Sequence, residues 1–276
     1  MRAAEPVFAS WRAELALEFE RRARRTVLAA RRHDGPLVVQ KPLYPEGDEV
    51  CHAIVVHPPA GIAGGDDLEV AASVRDGALA LLTTPGATKW YRSAGPWARQ
   101  RLAFVVAGAL EWLPQETIVF DGALAEIACA IDLVGAGCYI GWEILCLGRT
   151  GSGERFASGE CRLRTEVRRD GRLVWFERGG IPGGGAMRDS AVGLQGRTVY
   201  ATLLAAAPEV DMRVVDRCRK VLAPERSAVT ALPGLLIARH LGDSSEAAKR
   251  EFGRLWAVLR PALLGREAVE PRIWRT

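Results

Sequence analysis

Two of the four histidines in this chain, His52 and His57, stand close together, and Cys51 directly precedes the first. A glycine-broken loop, Gly61 to Asp67, follows and ends in Asp66 and Asp67. Imidazole, thiol and carboxylate groups together suit a soft or borderline divalent metal. Cys51, His52, His57 and Asp66 are therefore candidate ligands of a weak, exchangeable cation site. The spacing argues in both directions. On one straight strand, residues five apart point to opposite faces, so His52 and His57 do not converge. A turn at Pro58-Pro59 could re-aim His57, and Asp66 or Asp67 could fold back toward either ring. The alternative is a core cysteine beside two structural histidines, and spacing alone leaves both readings open.

A second group is made of carboxylates. Glu111, Glu116, Asp121 and Glu143 lie in or beside apolar runs, with Trp112 and Trp142 adjacent. A carboxylate taken from water needs a cation, a hydrogen-bond partner or a proton. One reading is a polar interior path that passes a cation along. The other is pairing with arginine-rich strands at a solvated surface.

Other chemistries find little support. There is no GxSxG elbow and no HExxH pair. Gly86-Ala87-Thr88-Lys89 has the residue types of a phosphate loop in the wrong arrangement. The glycines of PPAGIAGGD and GGIPGGG suit tight turns or close backbone approach. The formal charge of +4 over 276 residues gives no reason to expect a nucleic-acid partner. The run Arg21, Arg22, Arg24 and Arg25, with Arg31 and Arg32 beyond it, reads as a solvated surface around a turn.

No stretch of about 18 apolar residues is present, so no membrane-spanning helix is expected. Glutamates near the N-terminus break the apolar centre that an export signal needs, which points to the cytoplasm. The six cysteines form no CxxC pair, and several sit within apolar alternation, as in EIACAIDL. Reduced, buried thiols are the simplest account.

Positioning of these residues falls mainly to strands. Leu15, Leu17 and Phe19 alternate with glutamates, although the same segment is also rich in helix formers. Short alternating runs recur at Thr26–Ala30, Leu37–Gln40, Ala53–His57, Leu68–Val74 and Ala78–Thr83. They continue at Gln100–Val106, Ala109–Leu113, Leu124–Leu133, Cys138–Gly148, Glu160–Arg168 and Arg172–Glu177. Asp76-Gly77 and Asp170-Gly171 predict hairpins, since glycine reaches positive φ without strain.

The last third changes character. Asp211–Leu222 and Ser244–Leu259 have helical spacing, with Leu235–Leu241 a strand between them. Asp243 is the expected N-cap of the second helix and Pro261 its expected end. The expected fold is mainly β, a large layered antiparallel or mixed arrangement with a few helices, mostly in the C-terminal third. It forms a single domain over residues 1–276, β-rich at 11–208 and helix-containing at 209–276. No fixed-period repeat is seen, which still allows a stack of sheets.

Several unusual blocks carry a resemblance over nearly the whole chain. They are HPPAGIAGGD at His57–Asp66, TTPGATKWYRS at Thr83–Ser93, LPQETIVFDGA at Leu113–Ala123, WEILCLGR at Trp142–Arg149 and LGDSSEA at Leu241–Ala247. This wording resembles the UreD family of urease accessory proteins, called UreH in some species. The resemblance implies a mostly β fold with a few helices and a chaperone role without catalysis. It implies binding to UreF, recruitment of the nickel-carrying GTPase UreG through UreF, and docking on urease apoprotein. Nickel would then pass transiently, with no permanently bound cofactor. Two readings compete with it: a metal-assisted hydrolase using Asp66, His57 and a glutamate, and an interaction scaffold without a metal role.

Overall fold

The computed structural model describes residues 10–275. The reading of the N-terminus as lacking an export signal rests partly on residues 1–9, outside the described residues. The chain begins with β1 (Arg12–Arg22), β2 (Arg25–Asp34), β3 (Val38–Val39) and β4 (Val50–Val56). Next come β5 (Asp67–Val74), β6 (Leu79–Thr83), β7 (Thr88–Trp90), β8 (Ala98–Val106) and β9 (Ala109–Trp112). They are followed by β10 (Thr117–Val119), β11 (Leu124–Leu133), β12 (Cys138–Leu147), β13 (Glu160–Arg169) and β14 (Arg172–Pro182). The remainder is α1 (Ala186–Asp189), β15 (Val199–Ala206), α2 (Met212–Val221), β16 (Ser227–Leu232), β17 (Leu235–Gly242) and α3 (Ser245–Leu264). The fold is mainly β with mixed sheets, as expected.

One sheet has seven strands in the order β14-β13-β11-β8-β5-β1-β2. The other has ten, with the path β16-β17-β15-β12-β9-β6-β4-β3 and the short β10 and β7 branching from β12. From β4 to β13, apart from the short β7 and β10 that stay in the ten-stranded sheet, the chain alternates between the sheets, and each passage lays a strand parallel to an earlier one. Thus β1, β5, β8, β11 and β13 run parallel in the seven-stranded sheet. In the other sheet β4, β6, β9 and β12 do the same.

This winding corrects one expectation. Asp76-Gly77 does not close a hairpin: β5 and β6 lie in different sheets. Gly77 does have φ of 70°, but the turn carries the chain across the core. Asp170-Gly171 does close the β13–β14 hairpin. Leu37–Gln40 contributes only the two-residue β3. The strands β7, β10, β15 and β16 were not singled out by periodicity, because β7 and β10 are too short and β15 is apolar on both faces.

Alternating burial along β1 sends Leu15, Leu17 and Phe19 into the space between the sheets. There they meet Leu68, Val70, Phe104, Trp112 and Leu145. The outward face of the seven-stranded sheet carries ion pairs, such as Arg101 with Asp67 at 2.8 Å. The helices α2 and α3 cover the other face of the ten-stranded sheet, where Ile140, Trp142 and Ile144 pack against Phe252, Leu255, Trp256 and Leu259.

Two helix boundaries also differ from expectation. Ser244, not Asp243, caps α3, accepting from the Ala247 amide at 3.2 Å. Asp243 instead accepts from the Thr198 amide and pairs with Arg197. Pro261 lies inside α3, which runs on to Gly265 in the left-handed conformation. Proline removes one helical hydrogen bond. Here Leu263 and Leu264 pack on the helix-side core beyond it, and Arg260 is fastened just before it.

Candidate functional site

Register places chemically distinct residues in facing rows. Across the seven-stranded sheet, Leu15, Val70, Leu102, Cys129, Thr165 and Glu177 share one row. The row is apolar at one end and polar at the other. In the ten-stranded sheet Glu143, Thr202 and Arg239 share a row. The polar ends of the two rows line a cavity of about 80 Å³ between the sheets, together with Tyr139 and Tyr200. On this measure a water needs about 10–15 Å³, so the cavity has room for several waters or a cation.

Glu143 lines this cavity. Its Oε1 is buried and has no hydrogen-bond partner among the described residues. Burial pushes its carboxyl up from an ordinary 4.5 to about 7, against the opposing hydrogen bond from Thr117. A carboxyl in this state exchanges its proton near neutral pH. The neighbouring groups are held neutral: burial pushes the Cys129 thiol up to about 12, and the Glu143 charge adds to it. Burial also raises Tyr139 well above its ordinary range. At the polar end Arg239 donates to Glu177 Oε1 at 2.7 Å and to Thr202 Oγ1 at 2.6 Å, and it also bonds the Tyr200 hydroxyl.

The candidates near the first histidine are spread over two faces of β4. Cys51 points into the main core, and burial raises its thiol pKa despite a hydrogen bond with Tyr44. His52 sits on the helix side, with Nε2 2.6 Å from Glu46 Oε1. Arg260 of α3 joins this group, donating from Nη1 to Glu46 Oε2 at 2.6 Å and from Nε to Glu111 Oε2 at 3.0 Å. Trp256 Nε1 donates to Glu111 Oε1 at 2.5 Å. Burial drives the Glu111 carboxyl up against the pull of Arg260. Burial also pushes Glu46 up, but the bonds from His52 and Arg260 outweigh it and the net direction is down.

His57 and Asp66 lie near each other, apart from Cys51 and His52. The buried His57 Nε2 has no hydrogen-bond partner among the described residues. Burial lowers its pKa, and the Asp66 charge opposes that shift. Both Asp66 oxygens are engaged by backbone: Oδ1 accepts from the Trp11 amide at 2.9 Å and Oδ2 from the Ala63 amide at 2.8 Å. Among the described residues, no three His, Cys, Asp or Glu side chains are grouped so that they could hold a metal ion. A hydrolase built on His57, Asp66 and a glutamate would need three such donors around an open position.

The four path carboxylates also separate. Only Glu143 lines the inter-sheet cavity. Glu111 belongs to the Arg260 network on the helix side. Glu116 is half-buried within electrostatic reach of Lys249 and Cys146. Asp121 fastens a loop, accepting from the amides of Ala157 and Ser158 and pairing with Arg92 at 2.7 Å. Burial opposes ionisation of Asp121, but these hydrogen bonds prevail and hold its carboxyl below the usual range.

Sequence reasoning missed Cys129, Tyr139, Glu177, Thr202 and Arg239 as cavity residues. Arg239 was the one visible signal, a cation within the apolar strand LLIARHLG.

The site is thus a carboxylate-bearing cavity inside a two-sheet β scaffold. Among the described residues, no helix is long and apolar enough to cross a membrane. The profile of the family described as UreD urease accessory protein matches residues 12–275. A urease accessory protein UreD from Azoarcus sp. strain BH72 is 56% identical over 279 residues, covering 100% of this chain and 97% of that protein. The UreD of Dechloromonas aromatica strain RCB is 55% identical, covering 97% of this chain and 95% of that protein. That of Methylobacillus flagellatus is 50% identical, covering 96% and 95%. The chain belongs to the UreD family of urease accessory proteins.

Proposed function

We propose that this chain acts in urease maturation as a chaperone without catalytic activity of its own. It scaffolds UreF, and UreG through UreF, on urease apoprotein in the cytoplasm, and it assists delivery of nickel to the urease active site. Family membership supports the urease role. The observation that carries the nickel role is Glu143, whose buried Oε1 has no hydrogen-bond partner among the described residues and which lines the cavity between the sheets, burial pushing its carboxyl up to about 7.

Nickel is cargo in this reading. An approaching divalent cation displaces the Glu143 proton and gains one charged oxygen ligand. Neutral hydroxyl and thiol groups of Thr202, Tyr139 and Cys129 stand nearby to complete a weak shell. A single carboxylate among neutral donors holds a borderline cation loosely, which favours release. Arg239 and Glu177 form an ion pair at the polar end of the cavity, where a cation must pass a fixed positive charge. Reconstitution with UreF, UreG, nickel and urease apoprotein tests the account. Activation should require this chain, and Glu143→Gln should slow activation while leaving assembly intact. Normal activation by a folded Glu143→Gln protein would remove Glu143 from the nickel path.

A further inference from the structure

The seven-stranded sheet has two edges of different character. At one, β2 is partly covered: the Thr26 amide donates to Asp48 O at 2.9 Å, and Arg31 reaches the carbonyls of Val39 and Gln40. At the other, β14 pairs only with β13 and ends the sheet. An edge strand offers a row of backbone donors and acceptors, and proteins normally shorten, cover or charge such edges. This one is eleven residues long, with its proline only at the last position, Pro182.

Its side chains indicate what it would accept. Leu173 and Phe176 are 45% and 49% exposed, a large apolar share for an edge. Arg172 and Arg178 are exposed and make no ion pair among the described residues. Gly179 has open space where a side chain would stand. Phe176 and Arg178 share one face of the strand, so exposed arginines beside apolar side chains match an extended acidic segment that also carries apolar residues. A second copy paired antiparallel about Trp175 would bring Arg172 against Arg178, which is unfavourable.

We infer that the free edge of β14 is a docking strand for an extended acidic segment of another protein, which adds to the seven-stranded sheet by main-chain pairing. Backbone bonds supply the attachment, and alternate side chains supply selectivity. This inference stands apart from the nickel path, since it uses no residue of the cavity wall except through the shared strand.

The test uses the full chain and a labelled extended peptide of mixed glutamate and valine. Its controls carry lysine for glutamate, or a central proline. Fluorescence anisotropy should show binding of the acidic peptide that weakens with salt, with about tenfold weaker binding of the lysine version. Hydrogen exchange should slow at residues 172–180 on binding. The Arg172→Glu/Arg178→Glu double variant should reverse the charge preference, and Phe176→Ala should weaken binding without reversing it. The inference is overturned by no binding of the acidic peptide, by equal binding of the lysine peptide, or by protection elsewhere in the chain. Self-association that protects the same amides would also overturn it, in favour of a second copy. If the double variant fails to fold, the peptide series on the unmodified protein decides.

Discussion

Arg239 bridges the two sheets: its Nη2 lies 2.7 Å from Glu177 Oε1, so a residue of β17 is tied to a residue of β14. Both side chains keep about a third of their surface exposed, at 32% and 31%. A double-mutant cycle with Glu177→Gln and Arg239→Gln should therefore give a coupling of only about 0.2–1 kcal/mol in urea unfolding. Raising salt should shrink it. A coupling several times larger would mean the pair is a structural clamp and not a cavity gate.

The Glu143 carboxyl predicts a pH signature of stability. Its pKa is raised from 4.5 to about 7 on folding. Below pH 4.5 it is protonated in both states and contributes nothing. Between 4.5 and 7 the unfolded chain ionises while the folded one holds its proton, so stability falls as pH rises. Above 7 the loss is complete and constant. Glu143→Gln should remove this slope, gaining on the order of 2 kcal/mol relative to the unmodified chain at pH 8 and nothing at pH 4. Urea unfolding across this range checks it, and a pH-independent difference would contradict the raised Glu143 pKa.

Arg260 holds two buried carboxylates, Glu46 and Glu111, beside His52. Removing its charge leaves Glu46 with His52 and Glu111 with the Trp256 indole as their remaining partners. Arg260→Ala should cost roughly 3–5 kcal/mol and loosen α3 from the sheet, visible as lost near-UV circular dichroism. Adding Glu111→Gln to that variant should recover part of the loss. Strict additivity of the two changes would show that they do not share one network.

Asp66 separates a structural role from a ligand role. Its two oxygens hold the Trp11 and Ala63 amides. Asp66→Ala should cost about 1–3 kcal/mol in denaturant unfolding through the unmade hydrogen bonds. Asp66→Asn, which keeps one acceptor oxygen, should cost less. If Asp66→Ala leaves stability unchanged yet abolishes nickel binding, Asp66 is a ligand after all.

Much of the scaffold was legible in the sequence because alternation along β1, β5 and β8 matches one buried face. What was not legible is which sheet each strand joins. The Asp76-Gly77 turn has the local chemistry of a hairpin, yet tertiary packing sends β5 and β6 to different sheets. The site followed the same limit. Glu143 could be picked out from its apolar surroundings. The residues that share its cavity, Cys129 on the facing sheet and Thr202 and Arg239 on β15 and β17, are set by register across distant segments. His52 attracted attention as a metal ligand, but Glu46, six residues earlier, is the partner it meets.

The most direct test is nickel-dependent urease activation in a reconstituted mixture of this chain, UreF, UreG and urease apoprotein, comparing the unmodified protein with Glu143→Gln. The account predicts activation that depends on the chain and is markedly slowed by the substitution, with complex formation unchanged. Full activation with Glu143→Gln, or activation that proceeds equally well without the chain, would contradict it.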